Sequence, residues 1–265
     1  MNSAACPQAF ITLAGEMAAA AGAVARRYFR TALDVDDKPD DTPVTRADRE
    51  AEAAIRAIIA RAHPDHGVVG EEEGSDRPGA DYVWVLDPID GTRKFITGNP
   101  LFGTLIALLR QGRPILGVID MPMLGERWTG AAGRPTRFED RQGARAARVR
   151  PCADLAGAVL SASSPHMFAE DEFAAFERVR RAARMALYGG DCFAYGALAG
   201  GFLDLVVEAD MDPYDFMALV PVVEGAGGVM TDWTGAPLGL ETDGRVIAAG
   251  DKRAHDAALA LLAGD

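Results

Sequence analysis

The sequence predicts an α/β protein whose first half is α+β and whose second half is an α/β layer. Three observations predict it. Apolar residues recur at helical spacing over 7–30 and again after Thr45. The β-branched and aromatic runs 82–86, 103–109 and 114–119 follow, the last two joined by a short glycine-containing turn that reads as a hairpin. Beyond Arg148, strand-like and helix-like segments alternate.

In chain order, Phe10, Leu13, Ala14, Met17, Ala21, Val24 and Tyr28 form the buried stripe of a first helix. Residues 31–41 are acidic and polar, a loop or short hairpin carrying Lys38. Thr45-Arg46-Ala47-Asp48 opens a second helix in the manner of a capping box, with Ala51, Ala54, Ile55, Ile58 and Ile59 on one face. On this reading Asp48 is a simple cap residue. Gly67-Val68-Val69-Gly70 reads as a strand that delivers Glu71-Glu72-Glu73. One strand later, Tyr82-Val83-Trp84-Val85-Leu86 delivers Asp87-Pro88-Ile89-Asp90-Gly91-Thr92. Proline donates no ladder hydrogen bond, so the strand is expected to stop at Asp87. A loop or short helix over 93–99 leads to the hairpin, and another strand is expected around Trp128. Residues 134–150 hold six arginines and little apolar content, and read as a solvated connection rather than a nucleic-acid surface.

In the second half, 155–161 reads as a strand and 170–183 as a helix burying Phe173, Phe176 and Val179. A short strand at 186–188 precedes Gly189-Gly190-Asp191, which opens a helix over 192–199, where Asp191 fits an N-cap. A strand at 203–208 ends on Glu208, and Met211-Asp212-Pro213-Tyr214-Asp215 precedes an apolar helix over 216–226. Strands at 227–230 and 246–249 and a helix at 255–262 complete the chain. The expected division is an N-terminal α+β domain over 1–147 and a C-terminal α/β domain over 148–265.

Composition narrows the function classes. A net charge of −12 opposes general binding to nucleic acid or anionic membranes, but leaves room for a small anionic substrate beside a cation. The three cysteines lie far apart without C-x-x-C spacing, and the four histidines form no H-E-x-x-H motif, so neither a disulfide framework nor a zinc site is expected. No apolar run is read as reaching membrane-span length. The alanine-rich start lacks leading basic residues and is interrupted by Glu16, unlike a signal peptide. The expectation is a soluble cytoplasmic protein.

The chemistry concentrates in the acidic strand ends. Oxygen-only ligands packed this closely suit a hard cation such as Mg²⁺. Hydrolysing a phosphate monoester needs carboxylates from separate elements to hold such ions, an acceptor for the water proton, and donors for the phosphoryl oxygens. Glu71, Asp87, Asp90 and Asp215 can supply the first, and the Gly91 and Thr92 amides the last. The D-x-x-D-G-T spacing differs from the D-x-D-x-T of phospho-aspartyl phosphatases, which argues against a covalent intermediate.

These motifs resemble the inositol monophosphatase superfamily over nearly the whole chain. The resemblance rests on Val44-Thr45-Arg46-Ala47-Asp48, Gly70-Glu71-Glu72, Trp84-Val85-Leu86-Asp87-Pro88-Ile89-Asp90-Gly91-Thr92, and Pro213-Tyr214-Asp215 followed by Glu224-Gly225-Ala226-Gly227-Gly228. Tyr214 stands where the family usually has tryptophan. The resemblance implies a layered αβαβα sandwich, commonly a homodimer, and two or three Mg²⁺ ions per site. It makes Glu71, Asp87 and the Ile89 carbonyl ligands of one ion, and Asp87, Asp90 and Asp215 ligands of a second. A third, weaker ion is usual near Glu71. It pairs Thr92 with Asp48 to help Glu71 deprotonate water, and gives Gly91 and Thr92, with Asp90 beside them, to the phosphate.

Within the superfamily the chain looks most like the histidinol-phosphate phosphatases, on Asp90-Gly91-Thr92-Arg93-Lys94-Phe95-Ile96-Thr97-Gly98, Gly190-Asp191-Cys192-Phe193-Ala194-Tyr195 and the segment from Asp204 to Asp215. Asp191 and Glu208 fall where the family contacts the organic part of its substrate, and two carboxylates suit an ammonium group. The alternatives are an inositol-1-phosphate or broad sugar-phosphate phosphatase and, in another class, a regulatory or RNA-associated homologue favoured only by the arginines of 134–150.

Overall fold

The computed structural model describes residues 5–32, 35–37 and 43–264, the side chains of 35, 37 and 43 excepted. Helix α1 spans Gln8–Tyr28, and strands β1 (Val35–Asp37) and β2 (Pro43–Thr45) form an antiparallel ribbon; Lys38 lies outside the described residues. Helix α2 (Arg46–Ala62) leads to β3 (Gly67–Gly70), β4 (Gly74–Asp76) and β5 (Tyr82–Asp90). Helix α3 (Thr92–Ile96) precedes β6 (Gly103–Arg110), β7 (Arg113–Met121), β8 (Glu126–Ala131), β9 (Arg134–Asp140) and β10 (Gly143–Ala146). The remainder is β11 (Val159–Ala162), α4 (Glu170–Ala182), β12 (Met185–Tyr188), α5 (Cys192–Ala199), β13 (Leu205–Glu208), α6 (Pro213–Phe216), α7 (Leu219–Gly225), β14 (Val229–Asp232), β15 (Val246–Ala249) and α8 (Lys252–Ala263).

Strands β3–β10 make an eight-stranded sheet in the order β10-β9-β8-β7-β6-β5-β3-β4, in which β3 and β5 are the parallel pair. Strands β11–β15 make a five-stranded mixed sheet ordered β12-β11-β13-β15-β14. Alternation along the strands sorts the core into layers. Trp84, Leu86, Ile106 and Leu108 face α1 and α2, whereas Val83, Val85, Leu105 and Ala107 face α5 and α7. The second sheet repeats the scheme: Val206, Val246 and Ala248 join that central helical layer, while Leu205, Val207 and Ile247 pack on α4 and α8. The stack is the expected αβαβα sandwich.

Several expectations are corrected. Strand β5 does not stop at Asp87. Asp87 pairs with Leu105 and Asp90 with Gly103, so β5 carries one extra residue there, and a bulge is a place in a strand that tolerates proline. Residues 134–150 are not simply a connection, because β9 and β10 extend the large sheet. Buried Thr136 there donates to the Val222 carbonyl at 2.7 Å. The strand expected over 155–161 begins as a 3₁₀ turn at Leu155–Gly157. Phe173 is exposed; Phe176 and Val179 carry the burial on α4. Finally, α1 is long and apolar enough to cross a membrane by length and composition, contrary to the sequence reading. Phe10, Ala14, Met17 and Ala21 bury its apolar face in the core with Ala51, Ile55 and Trp84.

Helix α7 seats directly on the large sheet because Gly117 and Gly130 lack side chains. A Cβ on Gly117 would fall 1.9 Å from the Ala218 carbonyl oxygen, and one on Gly130 2.1 Å from that of Pro221. Gly117→Ala should therefore destabilise the fold by about 1–3 kcal/mol, read as a lowered denaturant midpoint. Gly79→Ala, where a Cβ meets nothing within 4 Å, should stay within about 0.5 kcal/mol of the parent.

Candidate active site

The parallel pairing of β3 with β5 sets Gly70 beside Leu86, and the Glu71 amide donates to the Leu86 carbonyl at 3.2 Å. Strand β3 thus ends beside β5, delivering Glu71 next to the bulge where β5 carries Asp87. The Asp87 side chain is buried and its Oδ1 accepts from the Ile89 amide at 2.9 Å, a turn that stabilises the bulge. Gly91 follows at φ 84°, the left-handed region that glycine enters without strain, and serves as the N-cap of α3.

Asp87, Asp90 and Asp215 each present a carboxylate oxygen, and these oxygens lie within 4.8 Å of one another. Each acid is anchored separately. Asp90 Oδ2 accepts from the Cys192 amide at the start of α5, at 2.8 Å. Asp215 Oδ2 accepts from the Asp212 amide at 2.8 Å, completing a capping box on α6. The Glu71 carboxyl is a hydrogen-bonding neighbour of Asp87. Burial, and then the charges of Glu71, Asp90 and Asp215, push Asp87 well above the usual carboxylate range. Asp215 is raised by burial and by Asp90, and Asp90 is pushed up to about 7 by burial and by Asp191. Carboxylates in this arrangement repel one another unless a proton or a cation lies among them. An all-oxygen donor set of this kind fits a hard divalent ion.

Asp48 caps its helix, as expected, and also contacts Thr92. As the third residue of α2 it closes the capping box: its Oδ2 accepts from the Thr45 amide at 2.8 Å and the Thr45 hydroxyl at 2.6 Å. Its Oδ1 lies 3.3 Å from Thr92 Oγ, which is also 3.0 Å from the Ile89 carbonyl oxygen. Burial raises the Asp48 carboxyl, and the Thr45 hydrogen bonds oppose the rise. The Thr92 hydroxyl therefore joins a buried carboxylate to the end of the bulge.

A cavity of about 190 Å³ adjoins the acidic cluster, sharing Asp90 and Asp215 with it and lined also by Ser163, Asp191, Tyr195 and Glu208. Asp191 does not cap α5; its carboxylate pairs with Lys94 instead. Glu208 is buried and braced on both sides, its Oε1 accepting from the Ser163 amide at 2.6 Å and its Oε2 from the Tyr195 hydroxyl at 2.8 Å. Sequence reasoning did not single out Lys94, Ser163 or Tyr195. The one available signal was Tyr195, four residues after Asp191 and so on the same side of the helix.

Residues 7–264 match the Inositol monophosphatase family. The bifunctional phosphatase IMPL2 of Arabidopsis thaliana is 49% identical over 96% of this chain and 75% of its own length. A histidinol-phosphatase of Chlorobaculum parvum is 36% identical over 90% of this chain and 91% of that protein. The solved structure of an inositol monophosphatase from Zymomonas mobilis superposes with a TM-score of 0.88 at 46% identity, covering 97% of this chain and 98% of that one. The Arabidopsis relative is chloroplastic, which overturns the cytoplasmic expectation. Cys6, Cys152 and Cys192 are buried and free.

A pH dependence follows from the acidic cluster. A carboxyl raised from 3.8 to about 7, as Asp90 is, binds its proton more tightly in the folded than in the unfolded chain. Its stabilising contribution is then complete below the unfolded value and is lost as pH rises toward the folded one. A divalent cation should accordingly raise the melting temperature more near pH 7 than near pH 4.5, a difference that shrinks in Asp90→Asn. Equal cation-induced shifts at the two pH values would contradict the clustered-carboxylate reading.

Proposed function

The chain belongs to the inositol monophosphatase family and is a metal-dependent phosphomonoesterase; on that premise we propose that it hydrolyses L-histidinol phosphate to L-histidinol and phosphate, in histidine biosynthesis. The observation that carries this reading is the acidic cavity joined to the carboxylate cluster. Among the described residues its lining includes Asp90, Asp191, Glu208, Asp210 and Asp215, and no lysine or arginine. Such a lining favours an organic group bearing an ammonium over one bearing only hydroxyls. The histidinol-phosphatase of Chlorobaculum parvum, matched along nine-tenths of both chains, supports the same substrate.

We assign Glu71, Asp87 and the Ile89 carbonyl to one Mg²⁺, Asp87, Asp90 and Asp215 to a second, and the neighbourhood of Glu71 to a weaker third. When bound, the ions supply water of lowered pKa and charge stabilisation for the departing oxygen. The chain's own groups do the rest. Gly91 and Thr92 amides hold the phosphoryl oxygens, fixing the phosphorus for in-line approach. Glu71 orients the attacking water, and Thr92 Oγ accepts its proton while passing its own toward Asp48. Water oxygen bonds to phosphorus as the ester P–O bond breaks, and the leaving oxygen takes a proton from a second, solvent water. No side chain is phosphorylated. Asp191 receives the substrate's ammonium, and Glu208, held by Ser163 and Tyr195, shapes the wall behind it.

The protein is further proposed to act as a homodimer. Met185, Leu187 and Tyr188 are each 45% exposed on β12, an edge strand of the smaller sheet, an apolar edge of the kind that pairing covers. The arginines of 134–150 do not require an RNA partner, since Arg137 and Arg145 already pair with Glu139 and Asp140. A second reading, an inositol-1-phosphate or broad sugar-phosphate phosphatase, draws on the Zymomonas mobilis structure.

Phosphate release with Mg²⁺ from L-histidinol phosphate and from inositol 1-phosphate decides between the substrates. The expected result is a higher kcat/KM for L-histidinol phosphate, with the preference reduced in Asp191→Ala. A preference for inositol 1-phosphate that survives Asp191→Ala would overturn the proposal. Thr92→Ala should lower kcat by about 10²–10⁴-fold on either substrate, the range expected when a positioned proton acceptor is lost.

A further inference from the structure

The Lys94 ammonium of α3 donates to Asp191 Oδ2, across 97 positions of chain, and the two side chains are only 15% and 16% exposed. Three features separate this pair from an ordinary ion pair. Asp191 is held at φ 45° and ψ −141°, a backbone conformation that L residues rarely adopt and that is stored only where the surroundings impose it. It stands at the N-cap position of α5 and makes no side-chain cap bond, so capping does not explain the strain. The same Oδ2 lies 2.8 Å from where a Cβ on Gly91 would be. A carboxylate oxygen therefore stands directly over the loop that, on the reading above, holds the phosphoryl oxygens.

A bare carboxylate there would repel a phosphate dianion, and at partial burial the repulsion is poorly screened. The neighbouring acids make matters worse, because Asp90, Glu208, Asp210 and Asp215 line the same cavity. Arg93, next in chain to Lys94, is exposed. Glu208 cannot share the work of receiving a cation easily, since both its oxygens accept hydrogen bonds from Ser163 and Tyr195. Among the described residues, Lys94 is the cation in place to neutralise Asp191.

We propose that Lys94 is the charge-balancing, specificity-determining residue of this site. It neutralises Asp191 above the phosphate loop in the free protein and yields that carboxylate to an ammonium on the incoming substrate, while its own charge turns to the phosphate. An ester that carries an ammonium brings its own partner for Asp191. A neutral ester does not, and depends on Lys94 to hold the repulsion down. The inference rests on the phosphatase reading above and sharpens its substrate class to phosphate monoesters bearing a cationic group.

The test compares the parent chain with Lys94→Met, Lys94→Arg, Asp191→Asn and the double variant Lys94→Met/Asp191→Asn, all with Mg²⁺. Inorganic phosphate is titrated as a competitive inhibitor, and kcat/KM is measured on L-histidinol phosphate and inositol 1-phosphate. Lys94→Met should weaken phosphate inhibition about tenfold or more, as expected when one partner of a largely buried charge pair is removed. Lys94→Arg and the double variant should recover most of it, and Asp191→Asn should bind phosphate more tightly than the parent. In Lys94→Met, kcat/KM should fall further for inositol 1-phosphate than for L-histidinol phosphate. Unchanged phosphate inhibition in Lys94→Met, or a double variant as impaired as the single one, would overturn the role of Lys94. A parent enzyme that prefers inositol 1-phosphate would remove the histidinol phosphate reading instead, with the phosphate series still deciding what Lys94 does.

Discussion

Mutual repulsion among one buried and two half-buried carboxylates is the constraint on which the site depends. Oxygens of Asp87, Asp90 and Asp215 lie within 4.8 Å of one another, where water cannot screen them well. The fold holds them there by separate anchors: the turn from Asp87 to the Ile89 amide, the α5 amide on Asp90, and the α6 capping box on Asp215. These anchors come from both sheets' connecting elements, so the cluster forms only when the central helical layer is docked. A cation among the acids then stabilises the folded chain and the reactive arrangement together.

Much of this was legible in the sequence because the signals were local. The hexapeptide from Asp87 to Thr92 carries two acids, a proline, a glycine and a hydroxyl in six positions, and Glu71 ends the strand that pairs beside it. Other features needed the folded chain. The end of β5 was misplaced because a bulge accommodates Pro88. Strands β9 and β10 were hidden by arginines on their exposed positions, with Thr136 the buried member of the alternation. Glu208 read as a cation receptor because its partners Ser163 and Tyr195 lie 45 and 13 positions away. No apolar run was read as reaching membrane-span length, yet the length and composition of α1 suffice.

Reaction and substrate are encoded in different parts of the molecule. On the proposed reading the reaction belongs to the acids of β5 and α6. Recognition, on the same proposed reading, falls to the start of α5, where one strained residue, Asp191, lies against Gly91 and lines the cavity. A change there is then expected to alter which phosphate ester is accepted while leaving the acids of β5 and α6 in place. Such an arrangement lets members of one family share an acidic cluster and differ in the molecules they hydrolyse.

The central claim is that the acids of β5 and α6 bind divalent cations as one unit, and calorimetric titration of the chelator-treated protein with Mn²⁺ or Mg²⁺ near neutral pH tests it most directly. The account predicts saturable binding in the parent that is lost or severely weakened in Asp87→Asn, with the circular dichroism of the variant unchanged. A folded Asp87→Asn protein that binds the cation with the parent's affinity and stoichiometry would contradict it.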